Sequence, residues 1–558
     1  MNKIIWTCWL NGEEQAPLLV RKCLESWKNK NPGWDFRCLD AVSITRYIDI
    51  VSHIALGQKR ITPASLTEIL RLLLLHEYGG LWVDAPTFCN RPLDEWLPMA
   101  AGTGFFAFCQ PGGDCPVASW LMAAQPGNEL LTKWTRRVVD YWQTRTQADD
   151  PQWFQRQFGA LCAGDRQAHQ AWQNVPRIGA DAAEAIQRLG MFESFAAMKD
   201  RVDWTMPVYD LTDRTAGRIM RPDSLVGHLL ELTDDEGDPP SGPAVADSEP
   251  LIAGQRLAQL KVATENVGDH VQILAAEHLC ARAGLTVNFR VDRDDEIAHP
   301  PPVAAGERPA IVMNGWFKTN PAEWPPHPAY RPIYLGFHMR LFQSPSLVSP
   351  EALRHYASHG PIGCRDRYTL SMLRGRGVDA FLSHCLTLSL PRRLSRPEQQ
   401  TEVFVVSRDR GILKHVPESV GPHTFISHYA DTKDFDKNKA RAAELLNLYS
   451  NRARLIVTTL LHCALPAIAL GIPVVVFYPS HDGPGHKSDR ERFSSLAEMV
   501  RVFYFSEAAA VDWRGYTPDV SLLKLRMTDQ FFGLAARWGR LASVRSKRRH
   551  GALEPADA

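Results

Sequence analysis

No stretch of this 558-residue chain is apolar for long enough to span a bilayer, and its charges cancel, with 63 Lys and Arg against 62 Asp and Glu. The near-neutral balance disfavours a nucleic-acid partner, because tracking a phosphate backbone requires a basic surface. Only the run RSKRRH near the end concentrates positive charge. It suits either peripheral contact with anionic lipid or a solvated, disordered tail. The opening MNKIIWTCWLNGEE has no secretory pattern, so a cytoplasmic protein is expected, soluble or peripheral on the inner face of the membrane. The 11 cysteines never fall in C-x-x-C spacing. That odd, unpatterned set argues against a disulfide scaffold and a zinc site and predicts reduced thiols, with Cys364, Cys385 and Cys463 as small buried hydrophobes in apolar runs. No segment repeats internally.

The segment TDDEGDPPSGPAVADSEP has almost no large apolar residue and cannot bury a core. It divides the chain into a domain over 1–234, a linker over 235–250, a second domain over 251–530 and a tail over 531–558. In the first domain, apolar residues recur with helical spacing from Leu66 to Leu75, Gly79-Gly80 stops the helix, and the strand LWV delivers Asp84 to a strand end. A carboxylate there suits an oxygen-ligated divalent cation or, equally, a helix cap. Glu68 and Arg71 lie three apart on one helical face, so they either pair or reach together toward a ligand. Trp6, Trp9 and Trp82 suit sugar stacking or core packing.

In the second domain, RLIVTTLLHCALPAIALGIPVVVF, from Arg454 to Phe477, reads as strand, helix and strand, with His462 at the first junction. Open parallel sheets collect ligands at such strand ends, where helix N-termini offer N–H groups to anions. A buried histidine capping its own helix fits the local pattern as well. His338 and His428 fall at probable strand ends, and either suits a cleft or a core. HDGPGHKSD lacks tetrahedral ligand spacing and reads as a loop over the site.

The stretch TTLLHCALPAIALGIPVVVF resembles the signature T-S-R-L-H-C-A-L-P-x-x-A-L-G-x-P-V of the polysaccharide pyruvyltransferase family. ATENVGDHVQILAAEHL resembles that family's N-x-G-D loop, with Asn266, Gly268 and Asp269 opening a helix. MNGWF, WPPHP and YLGFHM keep the family's order, and GPIGCRDRYTLSMLRGRG carries its Arg365-Asp366 pair. The resemblance implies a two-lobed, GT-B-like enzyme without a cofactor that transfers the enolpyruvyl group of phosphoenolpyruvate, as a ketal, to a hydroxyl pair of a glycan or lipid-linked oligosaccharide. It implies Arg365 as an anion clamp, His462 as an acid/base or phosphate-contacting group, and Asn266, Gly268, Asp269 and His338 around the donor. Leu460 stands where the family has arginine, which leaves Arg490 or Arg492 as the compensating cation. Losing such a charge-assisted contact costs about 1.5 to 3 kcal/mol.

The opening KIIWTCWLNGEEQAPLLVRKCLESWKNKNPGWDFRCLD resembles that of capsular polysaccharide synthesis glycosyltransferases, relatives of the D-x-D mannosyltransferases, and GGLWVDAPT resembles their metal motif. The resemblance implies a GT-A fold in which Asp84 holds Mn²⁺ or Mg²⁺ against a nucleotide sugar, with Glu68 and Arg71 beside the donor. The chain departs from the pattern in lacking a second acid, in Glu68 for aspartate, in Gln157 for a histidine and in Asp210 for a lysine. The expected fold class is therefore α/β, a GT-A-like domain followed by a GT-B-like, two-lobed Rossmann-type domain, and the expected function is bifunctional polysaccharide biosynthesis. The alternative is one active domain beside a non-catalytic glycan-binding or scaffolding module.

Overall fold

The computed structural model describes residues 1–54, 59–109, 116–211, 220–233, 257–283, 285, 287–300, 308–317, 324–339, 344–479 and 491–550. The linker over 235–250 and the HDGPGHKSD loop with Arg490 lie outside them. The chain forms two compact units, Met1–Ser248 and Glu249–Ala558, both mixed α/β.

The first unit opens with β1 (Ile4–Cys8), α1 (Leu18–Lys30) and β2 (Asp35–Leu39). All five residues of β1 are buried, as a central strand with both faces covered must be. α2 (Pro63–Tyr78) starts at Thr62, whose side chain accepts from the Ser65 N–H, and Pro63 occupies its first turn. It ends at Gly79, where φ is 66°, and β3 (Gly80–Val83) follows at once. β4 (Thr87–Cys89), β5 (Phe105–Cys109), β6 (Val117–Ala124), α3 (Glu129–Thr144), α4 (Trp153–Gly164) and β7 (Val208–Asp210) come next. The sheet order is β2-β1-β3-β6-β5, with β1 parallel to β2 and β3, and β6 antiparallel to β3 and β5. β4 and β7 pair antiparallel, Thr87 opposite Asp210. Trp6 and Trp82 are buried core residues, and Trp9 packs half-buried against the core.

The second unit holds two all-parallel sheets. β8 (Leu257–Lys261), α5 (Val267–Arg282), β9 (Val287–Asp292), β10 (Ala310–Trp316), β11 (Arg331–His338), β12 (Ile362–Cys364), α6 (Arg367–Arg374) and β13 (Ala380–Leu382) build the first, in the order β13-β12-β11-β10-β8-β9. β14 (Glu402–Val406), β15 (His423–Ile426), α7 (Phe435–Arg452), β16 (Ala453–Thr458), α8 (Leu461–Leu470), β17 (Val474–Phe477) and β18 (Val502–Phe503) build the second, in the order β15-β14-β16-β17-β18. One apolar core joins them: Val312 and Leu335 from the first sheet meet Phe404 and Ile456 from the second, with Val271, Ala275 and Leu279 of α5 in the same cluster. The last helix, α9 (Ser521–His550), starts on the second lobe, where Lys524 Nζ donates to the Ala469 carbonyl at 2.7 Å. It returns to the first lobe, where Arg537 Nη1 donates to the Gly360 carbonyl at 3.0 Å. The expected tail over 531–558 is thus corrected, because the helix runs through the 530 boundary to His550. The physical reason is a buried stripe, Met527, Phe531, Leu534 and Ala535, whose helical spacing continues across it. Among the described residues no helix is long and apolar enough to cross a membrane.

Gly80 has φ +102°, and a Cβ there would stand 2.5 Å from the Ile4 carbonyl oxygen. Gly80→Ala is expected to cost about 2 kcal/mol or more. Urea unfolding followed by fluorescence checks this, with a lower midpoint and an unchanged slope as the expected result.

Candidate active sites

In the first unit the sequence places a charge, Arg71, among the leucines of α2, and the fold buries it to 3 % exposure. A buried guanidinium needs a partner, and Arg71 Nη2 finds Asp84 Oδ1 at 3.0 Å. The same guanidinium donates to the Ser119 carbonyl and lies 5.3 Å from the centre of the Trp82 ring. Trp82 Nε1 donates to Asp84 Oδ1 at 2.8 Å. Of the two alternatives for Glu68 and Arg71, direct pairing is not the one found: Arg71 pairs with Asp84 instead. Burial lifts the Glu68 carboxyl to about 7, with Asp84 adding to the rise and Arg71 and Trp153 opposing it. Asp210, half-buried across β4 from Thr87, is pushed well above the carboxylate range by burial and then by Asp84 and Glu184. Gln157 accepts from Arg137 on the surface.

This acidic crowding is what a divalent cation would relieve, and one third of the Asp84 side chain is exposed to receive one. Among the described residues no three His, Cys, Asp or Glu side chains are grouped to hold a metal. The residues therefore fit a cation held by one carboxylate and completed by ligand phosphate oxygens, the ordinary manner for Mg²⁺.

In the second unit the polar residues gather at the carboxyl ends of strands. His338 ends β11, Arg365 and Asp366 follow β12, Asn266 to Asp269 follow β8, Arg293 follows β9, and His462 follows β16. They form a linked chain. His338 Nδ1 lies 2.6 Å from Asp366 Oδ2, and Asp366 Oδ1 accepts from the Thr369 N–H and hydroxyl at 2.9 and 3.0 Å. Arg365 Nε is 3.8 Å from Asp366 Oδ2, and its Nη1 is 3.5 Å from His462 Nε2. His462 Nδ1 is 3.4 Å from the Gln272 amide and 3.9 Å from Asp269 Oδ1. Asp269 Oδ2 is 3.9 Å from Arg293 Nη1, and the Arg293 guanidinium stacks 4.3 Å from the Trp316 ring centre.

A guanidinium only donates, so we assign the lone pair of His462 to Nε2 and its proton to Nδ1. The Gln272 Nε2 beside that nitrogen also donates to Asp269 Oδ1 at 3.4 Å; with the amide assigned the other way round, its Oε1 would accept the Nδ1 proton. Burial holds the His462 pKa well below its ordinary value, with Arg365, Arg492 and His338 adding to the effect. His338 is pulled down to about 4 by burial and Arg365, against Asp366. Asp366 stays below the carboxylate range although burial pushes it up, because His338, Arg365 and the Thr369 N–H stabilise its charge. A neutral imidazole donating Nδ1–H to an ionised carboxylate satisfies both directions, and it leaves His338 Nε2 buried without a partner among the described residues. Burial raises Asp269, with Arg293, Arg365 and Arg492 opposing.

The remaining predicted residues support this cluster. Asn266 caps α5, accepting from the Gly268 N–H at 3.1 Å. Gly268 leaves room for the histidine, since a Cβ there would stand 2.9 Å from His462 Cβ. Leu460 sits at the N-cap of α8 and packs against the core that joins the lobes. His462 has non-helical torsions, φ −85° and ψ 17°, because Pro466 offers no N–H to its carbonyl. His428 is buried, bonded through Nε2 to the Tyr449 hydroxyl at 2.9 Å. Sequence reasoning missed Gln272, although it lies three residues from Asp269 on one helix, and Arg293, whose only signal was a basic residue directly after a strand.

Comparison with known proteins divides the chain the same way. Residues 1–196 match the family described as "Capsular polysaccharide synthesis protein", and residues 266–481 match the family described as "Polysaccharide pyruvyl transferase". Among curated relatives, "O-glycosyltransferase braB" of Annulohypoxylon truncatum is 24% identical over 165 residues, covering 26% of this chain and 39% of its own length. "Initiation-specific alpha-1,6-mannosyltransferase" of Candida albicans is 30% identical over 105 residues, covering 17% of this chain and 26% of its own. The chain thus spans about two fifths or less of these relatives. The solved structure "PaToxG Glycosyltransferase" aligns at TM-score 0.20 and 15% identity, over 31% of this chain and 74% of that one. The family matches and the relatives' names together support a transferase.

His338 and His428, which is also lowered to about 4 by burial, bind protons less readily folded than unfolded. The unfolded chain therefore takes up more protons between the ordinary value of 6.5 and about 4. Stability is complete above that window and falls as pH drops through it, by about 1.4 kcal/mol per pH unit for each histidine. Glu68 and Asp210, raised by burial, act in the opposite sense as pH falls, so the expected result of urea unfolding at pH 7 and pH 5 is a difference between proteins: His428→Asn loses less stability than wild type on going to pH 5.

Proposed function

We propose that the chain is an enzyme of cell-surface polysaccharide assembly, with a GT-A-like glycosyltransferase in its first unit and a GT-B-like pyruvyltransferase in its second. The observation that carries this reading is the chain of buried groups at the strand ends of the second unit, His338, Asp366, Arg365 and His462. Phosphoenolpyruvate brings a phosphate and a carboxylate to be neutralised. Arg365 takes one anionic group. Arg492, which acts electrostatically on Arg365, His338, His462 and Asp269 alike, takes the part that Leu460 leaves vacant. The N-terminus of α5, with Asn266, Gly268 and Asp269, lies beside the histidine. The acceptor is a hydroxyl pair of a glycan or lipid-linked oligosaccharide, and phosphate is released as the ketal closes.

In the first unit the donor is a nucleotide sugar. Asp84, held in place by Arg71 and Trp82, would anchor Mn²⁺ or Mg²⁺ together with the diphosphate, and that cation would neutralise charge on the departing nucleoside diphosphate. Glu68 and Arg71 stand beside it on α2. A cytoplasmic location, with the basic end of α9 at the inner membrane face, suits lipid-linked acceptors. Leu460 favours a second reading, in which the second unit holds glycan without catalysis.

Asp84→Asn, which keeps an acceptor oxygen for Arg71 and Trp82, is expected to abolish nucleotide-sugar turnover while leaving phosphoenolpyruvate binding intact. Arg365→Ala should do the reverse, weakening phosphoenolpyruvate at least tenfold, as losing a charge-assisted contact of about 1.5 to 3 kcal/mol requires. Calorimetric titration and a nucleotide-release assay on the full chain measure both. A folded wild type that binds no phosphoenolpyruvate would remove the pyruvyl-transfer reading and leave the second reading in front.

A further inference from the structure

We infer that His338, oriented by Asp366, is the group that moves protons in the second unit, and that His462 positions the Arg365 guanidinium. The inference rests on the pyruvyl-transfer reading and reassigns the proton chemistry within it.

The geometry separates the two histidines. Both nitrogens of His462 are engaged, Nε2 by Arg365 at 3.5 Å and Nδ1 by Gln272 at 3.4 Å. A proton added to Nε2 would confront a guanidinium N–H with a second donor, so this ring cannot charge without breaking its contact with Arg365. His338 is engaged on one side only. Its Nδ1 is fixed at 2.6 Å from a carboxylate that is itself locked by Thr369, while Nε2 is buried and has no partner among the described residues. An imidazole with one nitrogen tied to a carboxylate and the other open is the arrangement of a general base whose conjugate acid is stabilised by its orienter. Asp366 also meets Arg365, so the base and the anion clamp share one carboxylate and keep a fixed spacing.

The protons balance through that single nitrogen. In the addition step a sugar hydroxyl oxygen bonds to C2 of phosphoenolpyruvate, its proton passes to Nε2, and the C2=C3 pair takes a proton from Nε2 at C3. In the closing step the second hydroxyl bonds to C2, the C2–O bond to phosphate breaks, and its proton travels by Nε2 to the departing phosphate. The imidazole takes up one proton with phosphoenolpyruvate, gives it to C3 and recovers it from the first hydroxyl, then gives it to the departing phosphate and recovers it from the second. Asp366 is a positioning residue, as is His462.

The groups that set the titration of His338 are Asp366, Arg365, His462 and Arg492. A trianionic ligand against Nε2 would raise its proton affinity, so binding should take up protons. The test is calorimetric titration of phosphoenolpyruvate alone into the full chain at pH 6.5, in buffers of differing ionisation enthalpy. Wild type is expected to bind with proton uptake, and His338→Gln to bind within about tenfold of wild type with most of that uptake gone. Asp366→Asn should also reduce uptake. His462→Gln should weaken binding through Arg365 and keep the uptake. Uptake that survives in His338→Gln, or that disappears only in His462→Gln, overturns the inference while leaving pyruvyl transfer standing. A folded wild type that binds no phosphoenolpyruvate removes the underlying reading, and the inference falls with it.

Discussion

A guanidinium taken out of water must be met by a carboxylate, and each unit of this protein is arranged around one such meeting. Arg71 is 3 % exposed and Arg365 is 1 % exposed. Neither is tolerable in an apolar core without a carboxylate at hand. In the first unit that requirement ties α2 to β3 across the turn at Gly79-Gly80, through Asp84. In the second the acid is the next residue, Asp366, 3.8 Å away; its bond to His338 holds the loop after β12 against the end of β11, and the contact of Arg365 with His462 reaches the other lobe. Helix stops, strand lengths and the small residue at Gly268 all serve the same registration.

Carboxyl groups of one chemical type behave differently in the two units because their company differs. Asp366 keeps its charge in a buried place, because an imidazole N–H, a guanidinium and a backbone N–H converge on it. Glu68 and Asp210 share the neighbourhood of Asp84 with too little positive charge, and both are driven upward. The first site is thus short of cations and the second is well supplied. That contrast is set by the side chains alone, because the acids of the first unit share one guanidinium while those of the second are met by several cations.

Much of this was legible from the residues because it was local. The apolar runs LIVTT and PVVVF gave strands on either side of a helix, and the periodicity from Leu66 to Leu75 broke at two glycines, so Asp84 and His462 could be set at strand ends before any packing was known. Partner choice was not legible. Glu68 and Arg71, three apart on a helix, offered a pairing that the tertiary approach of β3 overrode. Asp366 was seen as half of an Arg-Asp dipeptide, although its closest bond goes to His338, 28 residues away. Arg293 carried no motif at all. The boundary at 530 has a different cause: the basic run near the end is a local charge signal, while the spacing of Met527, Phe531 and Leu534 carries a helix across residue 530.

The lobes of the second unit are joined by two chain crossings rather than one. The chain passes from the first sheet to the second once after β13, and α9 then carries it back, anchored at Ala469 on one side and at Gly360 on the other. A body hung from a single strand of chain can swing and twist about any axis. One held at two separated points behaves like a door on two pins, free to turn about the line through them and stiff against everything else. Any breathing that admits a ligand to the buried His338 and Arg365 must also work against the apolar core that the two sheets share, so the pins guide a door that is already held shut along its whole face.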